Sequence, residues 1–505
     1  MKQGDGGRAR MGSRAVSLPV LFLGFMGAIQ LADPVIANLA LVRATQALGF
    51  SPSTQALAAS ISTLALAATV VPAGVLADKM GRRRLLTVAL VVAGAGDVLA
   101  AAAPDSLVFL IGRAIAGVGL GAVFTGSFGY VRSVVDRETL PAAFGVFAGM
   151  CSVPLFVLMP LGAALASANW RLAFLIVPVA ALVCAVLCSR ILPDEPAVPL
   201  PRRAYWGLVA LGVGVVLLLL GINGLASNPT ASGTVGPLIG GAVALTVFAV
   251  VETKVATPTF PMELFKSPLF ILGVLGGLCW NAASAVTQLL SSNLWQYVSD
   301  FSPLTASLHQ LPLLAFSIVG SVVTGYVIGR GNSAVAVQVA GGVIAVVGLV
   351  ASGLFAPSAT GALFLLGLCV VFFGCGVMTV PQGQMFVTEA PAEHYGAVTS
   401  SRTFVGQLAY ALGLAGGAVV ANAVTTSRLV SEGGQTLSEA TTDLGRFLTG
   451  ASTSSAQIAS FYTSGFAAAM YVFAGFVALC TVVMLILGRR ASARIHAHAE
   501  AHSAA

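Results

Sequence analysis

The sequence predicts an all-α membrane protein that crosses the bilayer fourteen times. Three observations predict this fold class. Only 9% of the 505 residues are charged and 57% are hydrophobic, whereas soluble domains carry about 25% charged residues. The apolar residues form runs of the length that a membrane span needs, about 20 residues. The basic residues are dispersed between these runs and are distributed unequally between alternate loops, as in membrane proteins.

The fourteen apolar runs are each interpreted as one helix. The predicted spans are 17–42, 54–77, 84–103, 106–131, 140–167, 171–192, 205–226, 234–252, 268–297, 303–328, 333–356, 359–387, 395–424 and 459–488. The first run follows a basic N-terminal segment but is too long for a cleaved signal and lacks a small-residue cleavage site, so it is read as an uncleaved span. Prolines at 154 and 160 should bend the fifth span.

The distribution of basic residues supports both the number of spans and their orientation. With an even number of spans, both termini lie on one side. Nineteen of the 25 lysines and arginines then fall on that side and four on the other, Arg43, Arg171, Arg428 and Arg446. Because positive residues concentrate in cytoplasmic loops, we expect a multi-pass protein of the cell (inner or plasma) membrane with both termini cytoplasmic.

Two polar segments suggest how the chain is organised. A proline-rich linker begins at residue 193, and residues 426–457 are rich in Ser, Thr and Gly. We predict an N-terminal six-helix bundle at 1–192, a linker with two inserted helices at 193–256, a C-terminal six-helix bundle at 257–490 and a cytoplasmic tail at 491–505. The segment 426–457 is the long external loop, and its residues 438–448 are predicted to form a short amphipathic helix on the membrane surface.

The cysteines and the net charge of +7 do not indicate a cofactor or nucleic acid. All seven cysteines lie in apolar stretches without the spacing of a zinc or redox motif. They are interpreted as small hydrophobic side chains. We expect no metal and no cofactor. The expected partners are a small-molecule substrate and the lipid bilayer, with no nucleic acid, and the protein is expected to be a monomer.

A loop motif after the second predicted span indicates a protein family. It contains Gly74, Asp78, Gly81, Arg82 and Arg83. Glycine permits close helix approach and tight turning, and the arginines suit the cytoplasmic face. The motif closely resembles the G-x-L-a-D-r-x-G-r-[rk] loop of the major facilitator superfamily. A weakened copy, Gly325 to Gly331, follows the second span of the later bundle. The resemblance implies a major facilitator fold, two six-helix bundles plus two extra linker helices, with a gating role for the loop.

Further motifs resemble the fourteen-helix drug:proton antiporters of that superfamily. Arg113, Gly117 and Gly119 match an R-x-x-x-G-x-G pattern in the fourth span, and the segment 33–41 resembles the family's first-span element. Two further segments, Trp170–Phe174 and residues 294–312, also resemble that family. The first is a W-R-x-x-F segment, with either a transport role or a purely structural one. The fifth-span antiporter motif is reduced to Met159–Ala164, which weakens the inference to antiport.

Four ionisable residues inside the spans are candidates for proton coupling or substrate binding, because buried charges in membranes are costly and are usually functional. They are Asp33, Asp97, Arg113 and Arg402. Asp33 matches the acidic position of the family that the sequence resembles, which implies a coupling role. The alternatives to that role are a structural pairing with Arg113 or exposure at the rim. For Asp97 the alternative is a solvated carboxylate near the outer mouth. Arg113 is expected to be the partner of an acid, and Arg402 either shares this role or snorkels to the surface.

Polar side chains on other spans are candidates for lining a cavity, with packing on a polar helix face as the alternative. These residues are Asn38, Trp280, Asn281, Gln296, His309 and Gln407.

The function indicated by these patterns is secondary active transport. The first hypothesis is proton-coupled export of amphipathic or cationic small molecules, as in multidrug efflux, by alternating access between the bundles. The alternative on the same fold is a dedicated carrier for a lipid, siderophore or metabolite. A membrane enzyme or sensor is the distant alternative, because no catalytic cluster converges within the spans; we therefore expect no enzymatic activity.

Overall fold

A computed structural model describes residues 17–136, 139–194, 204–224, 232–254, 262–389, 395–449 and 456–503. Within these ranges the chain is helical and contains no β-strand. Its α-helices are α1 Leu18–Leu48, α2 Pro52–Met80, α3 Arg82–Ala102, α4 Ser106–Val134, α5 Leu140–Ser152, α6 Leu155–Ala168, α7 Trp170–Ala173, α8 Ile176–Ile191, α9 Ala204–Gly224, α10 Ser232–Lys254, α11 Pro268–Tyr297, α12 Pro303–Gly329, α13 Ala334–Leu354, α14 Ala362–Glu389, α15 Tyr395–Ser431, α16 Leu437–Leu448 and α17 Ala456–Ser503. Short 3-10 helices occupy Met262–Lys266 and Ala356–Ser358.

The helices confirm the predicted fold class of a multi-pass α-helical membrane protein. Within the described ranges, thirteen stretches are long and apolar enough to cross a membrane. The helix α9, with 21 residues, occupies the position of the seventh predicted span. The two largest boundary differences are at the C-terminal ends of α15 and α17: α15 continues to Ser431, beyond the expected end at 424, and α17 continues through most of the predicted tail to Ser503.

The chain forms two compact units. The first contains α1 to α8, most of α9, the middle of α10 and residues Ser302–Ser307; the second contains the remaining described segments. In the first unit α4 packs extensively on α3 and on α2. In the second, α11 packs on α14, α15 and α17, and α13 packs on α14. The predicted division at 192 and 257 stays a prediction.

The predicted fifth span has a break in its helical hydrogen bonding, although the backbone angles of Val153 and Pro154 stay in the helical region. Helix α5 ends at Ser152 and α6 begins at Leu155, with Val153 and Pro154 between them. Proline lacks the N–H that would continue the helix and its ring clashes with the preceding turn. Pro160 lies inside α6 without ending it. The sixth span likewise begins with the single turn α7 before α8.

The predicted amphipathic helix of the external loop exists as α16, but its apolar face is buried against protein. Ala440, Leu444 and Leu448 are buried. The ring of Phe447 lies 5.9 Å from that of Tyr297 at the end of α11 and 5.7 Å from that of Tyr462 in α17. The apolar face of α16 therefore packs on aromatic rings of α11 and α17, and the position of this helix relative to the membrane surface stays a prediction.

Helix α16 begins with a capping box that makes its stability depend on pH. The Thr436 hydroxyl accepts a hydrogen bond from the Glu439 N–H, and the Glu439 carboxylate accepts from the Thr436 N–H and hydroxyl. These donors favour the ionised carboxylate and lower the pKa of Glu439 below its ordinary value of 4.5. Because the pKa of Glu439 is lower in the folded helix, the ionised carboxylate stabilises the helix at pH values above its ordinary pKa. This stabilisation is lost as the pH falls through the lowered pKa.

We therefore expect acidification below about pH 4 to increase proteolytic cleavage within residues 432–449. The Glu439→Gln variant removes this titration while keeping a capping-box side chain, so its cleavage should change less over the same range. Equal pH dependence in the two proteins would contradict the assignment.

Candidate functional site

Three of the four ionisable candidates meet in the first unit as a buried ion cluster. The Arg113 Nη1 donates to Asp33 Oδ1 and to Asp97 Oδ1, both at 2.6 Å, and Nη2 donates to Asp33 Oδ2 at 2.8 Å. The three side chains are 1 to 3% exposed. We call Asp33, Asp97 and Arg113 the ion cluster. It joins helices α1, α3 and α4.

Close helix packing brings these side chains together. A Cβ on Gly96, next to Asp97, would overlap the backbone of Ala116 on α4, and a Cβ on Gly117 would overlap the carbonyl of Ser62 on α2. Glycine at such positions lets two helices approach to backbone contact. Helix α3 therefore lies directly against α4, so that the short Asp97 side chain reaches the Arg113 guanidinium. Helix α2 lies equally close to α4 and places Ser62 beside Asp33.

Two neighbours complete the environment of the ion cluster. The Ser62 hydroxyl donates to Asp33 Oδ2 at 3.0 Å. The Phe174 ring centre lies 5.4 Å from Arg113 Cζ, a distance at which the ring quadrupole attracts the cation. The sequence analysis missed both residues. A serine inside an apolar span is a weak signal, and Phe174 belongs to the recognised W-R-x-x-F segment without any hint of this contact.

The ion cluster is not neutral when all its members are ionised, because two carboxylates share one guanidinium. Within the described residues, Asp97 Oδ2 and Arg113 Nε have no hydrogen-bond partner although both atoms are buried. An uncompensated charge in such an environment is costly. One proton on a carboxylate would make the cluster neutral. Asp97 is the carboxylate with an oxygen that has no partner among the described residues, because only its Oδ1 accepts from Arg113.

Two of the alternatives for the aspartates are wrong. Asp97 is not a solvated residue near the outer mouth, since it is fully buried. Asp33 is not exposed at a rim, since it is 3% exposed and pairs with Arg113. The pairing of Asp33 with Arg113 is the arrangement observed.

The W-R-x-x-F segment makes structural contacts. Arg171 Nη1 donates to the Ala101 carbonyl at 2.6 Å, and its Cζ lies 4.5 Å from the Trp170 ring centre. Trp170 and Phe174 both pack edge-on against Phe109 of α4. The segment thus fastens the start of α7 to the ends of α3 and α4. Its only contact with the ion cluster among the described residues is that of Phe174 with Arg113.

The loop motif connects the ends of several helices in the first unit. Gly81 lies between α2 and α3 with φ 84°, a conformation that favours glycine. Arg82 Nη1 donates to the Ser133 hydroxyl at 2.9 Å, and Arg83 Nη2 pairs with Asp194 at 2.6 Å. Gly74 lies within α2, as does the backbone of Asp78, whose side chain lies outside the described part of the structure.

The remaining candidates do not join the ion cluster. Asn38 is buried on α1, and its Nδ2 has no partner in the described ranges. In the second unit, Asn281 donates to the Gly277 carbonyl at 2.8 Å, and Gln296 donates to the Ser292 hydroxyl at 2.9 Å.

Three candidates in the second unit are half-buried. The His309 ring centre lies 5.4 Å from that of Trp295. Gln407 lies on α15. Trp280 Nε1 donates to Gln382 Oε1 at 2.9 Å.

The structure adds a polar group in the second unit that the sequence analysis did not single out. The Tyr410 hydroxyl donates to Gln288 Oε1 at 2.6 Å, and Gln310 Nε2 donates to the Gln288 carbonyl at 3.0 Å. This group joins α11, α12 and α15. Glutamines on two apolar spans and a tyrosine on a third were a usable signal, but only their contact distinguishes them from polar residues on separate packed faces.

The sequence of this chain matches the model of a known protein family. The family model described as Major Facilitator Superfamily matches residues 20–414. An uncharacterized MFS-type transporter of Mycobacterium tuberculosis, Rv1877, is 30% identical over 353 residues, which cover 66% of this chain and 49% of the relative. MdtD of Salmonella typhi, named for multidrug resistance, is 26% identical over 59% of this chain and 63% of its own length. The chain thus spans about half to two thirds of these curated relatives.

Solved structures agree with the fold. A bacterial homolog of the human lysosomal transporter Spinster aligns with TM-score 0.67 and 13% identity over 93% of this chain and 96% of its own. The xylose transporter XylE from E. coli aligns with TM-score 0.54 and 13% identity over 92% of this chain and 98% of its own. At this identity the likeness concerns the fold alone. Since the family model covers most of the chain, this protein belongs to the Major Facilitator Superfamily.

Proposed function

We propose that this protein is a proton-coupled secondary transporter that exports amphipathic or cationic small molecules by alternating access. The observation that carries the proposal is the ion cluster, in which one buried guanidinium serves two carboxylates and Asp97 Oδ2 has no partner among the described residues. The relative named for multidrug resistance supports the substrate class.

The chemistry of coupling follows from charge balance. With one proton on the carboxylates the ion cluster is neutral, and without it the cluster carries one negative charge. A negative site inside a membrane attracts a cation, so a proton and a cationic substrate compete for it. Asp97 Oδ2 is enclosed in this structure. Loading and release of the proton therefore require a second conformation, as alternating access supplies.

The second candidate is a dedicated carrier for a lipid, siderophore or metabolite. The reduction of the antiporter motif to Met159–Ala164 supports this second candidate. It lies in the span whose helix breaks at Val153 and Pro154. The family is one of transporters, which argues against a membrane enzyme or sensor. Location in the cell membrane, cytoplasmic termini, the monomeric state and the use of the proton gradient belong to this proposal.

Transport of a cationic dye by reconstituted protein tests the coupling. In proteoliposomes with an imposed pH gradient, we expect wild-type protein to accumulate ethidium and Asp97→Asn to reduce accumulation to the level of protein-free liposomes. Exchange of ethidium at equal pH should persist in Asp97→Asn, because asparagine removes the titrating group but keeps a polar side chain. Asp33→Asn should also abolish accumulation.

The control is Asp105→Asn, since Asp105 caps the start of α4 at an exposed position and asparagine caps a helix equally well. Asp105→Asn should transport as wild type. Gradient-driven accumulation by the Asp33→Asn, Asp97→Asn double variant at the wild-type rate would refute the coupling role. Transport restricted to one substrate in a panel of cations and neutral amphiphiles would favour the dedicated carrier.

A further inference from the structure

The fourth ionisable candidate, Arg402, lies in the second unit and has no hydrogen-bond or ion-pair partner among the described residues. It is half-buried near the start of the span Ser401–Ser431. Its Nε is enclosed, and the guanidinium makes no hydrogen bond or ion pair with any described residue. The six spans of this unit between residues 268 and 489 contain no aspartate or glutamate. Arg402 therefore differs from Arg113, whose charge is balanced by acids on adjacent helices.

The helix that approaches Arg402 carries a second donor without a partner among the described residues. The Arg402 Cζ and Nη2 lie 3.8 Å from the position that a Cβ on Gly383 would occupy, so α14 approaches the guanidinium closely. The preceding residue, Gln382, is 1% exposed and its Nε2 has no partner within the described residues. The orientation of this amide is determined, because Trp280 Nε1 can only donate and therefore faces Gln382 Oε1.

A cation and a neutral donor, each within a membrane span and each without a partner among the described residues, indicate the chemistry of a ligand that would bind them. Guanidinium binds carboxylate and phosphate through paired hydrogen bonds, and a buried cation without a counter-charge is costly. The half-buried indole of Trp280, bonded to Gln382, offers apolar surface next to that amide. An anion attached to an apolar body satisfies both features.

We propose that Arg402 binds the acidic head group, carboxylate or phosphate, of an amphipathic anion, with Gln382 and Trp280 beside it. This proposal rests on the proposed transport function and extends its substrates to amphiphiles that carry an acid. The acidic group has two sources, a transported compound or an anionic lipid of the bilayer, and both present the same chemistry to the guanidinium.

Binding of a matched acid and ester tests the proposal. The full chain in nanodiscs of phosphatidylcholine is titrated with dansylaminoundecanoic acid and separately with its methyl ester, followed by dansyl fluorescence. We expect Arg402→Gln to raise the Kd of the acid about tenfold, roughly 1.4 kcal/mol, and to leave the Kd of the ester unchanged. Arg402→Lys should retain part of the affinity, since it keeps the charge without the paired geometry.

The matched control is Arg428→Gln on the same helix, since Arg428 is exposed and pairs with Glu432; it should leave both Kd values unchanged. Repetition with phosphatidylglycerol in the nanodiscs separates the two sources. Weaker acid binding by wild type but not by Arg402→Gln identifies the lipid head group as a competitor, whereas an unchanged Kd assigns the site to the soluble anion.

Equal acid binding by wild type and Arg402→Gln in both lipids would overturn the proposal, as would an equal loss of ester binding, which would indicate a structural role. The titration uses no pH gradient and no transport. Its failure is therefore separate from a failure of proton coupling at the ion cluster.

Discussion

An Arg113→Gln variant is expected to lose about 3–5 kcal/mol of folding free energy, the usual cost of leaving a buried charge without its partner. Glutamine retains hydrogen-bonding groups but removes the cation that Asp33 and Asp97 share. Both carboxylates would then face each other in a membrane interior without a counter-charge. Thermal unfolding of the detergent-solubilised protein measures the loss, and gradient-driven ethidium transport should be absent.

A triple variant separates the loss of charge balance from the loss of packing. Asp33→Asn, Asp97→Asn and Arg113→Gln together leave a neutral polar cluster of similar volume. We expect this variant to unfold at a higher temperature than Arg113→Gln alone, because replacing all members of a buried ion group costs less than removing one. An Arg113→Gln protein that unfolds at the wild-type temperature would show that the cluster does not hold α1, α3 and α4 together.

The second large effect is expected from Gly117→Ala in the R-x-x-x-G-x-G motif. The added methyl would overlap the Ser62 carbonyl oxygen and lie 2.8 Å from the carbonyl carbon and 2.9 Å from the Ala65 Cβ. Backbone atoms cannot move aside as a flexible side chain can, so α2 must shift away from α4. Overpacking of this kind costs about 1–3 kcal/mol. The shift also carries Ser62 away from Asp33, so transport should fall with stability.

Gly149→Ala is the matched control, because a Cβ there meets no atom within 4 Å. Alanine inside a helix is favoured over glycine by roughly 0.5–1 kcal/mol, so this variant should be as stable as wild type or slightly more so. The same melting temperature for Gly117→Ala and Gly149→Ala would contradict the close approach of α2 and α4.

Much of the fold could be predicted because a bilayer imposes a simple rule on sequence. Each span needs an apolar run of defined length, and loops reveal their side by their charge. The helix ends were less predictable, because a single proline or a short polar segment changes them without changing the hydropathy of the whole apolar run. Pro154 interrupts the fifth span, and the end of α15 extends to Ser431, where polar residues continue a helix that hydropathy alone does not recognise.

The candidate site was predictable as a set of residue types and not as an arrangement. Charges within apolar runs identify Asp33, Asp97, Arg113 and Arg402 without any coordinates, because such residues are rare in membranes. Distances along the sequence do not state which of them meet. Asp97 and Arg113 lie on adjacent helices, yet the sequence kept a solvated Asp97 as an alternative to a coupling role, because the burial of Asp97 depends on the glycine contacts between α3 and α4.

The sequence by itself determined the membrane-spanning class, the family resemblance and the identity of the buried charges, since these follow from composition and short motifs. Only the tertiary structure decided that Arg113 is shared by two aspartates, that Arg402 has no partner among the described residues, and that α16 packs on Tyr297 and Tyr462. The physical reason is that pairing and burial depend on contacts between helices far apart in the chain, which local pattern does not encode.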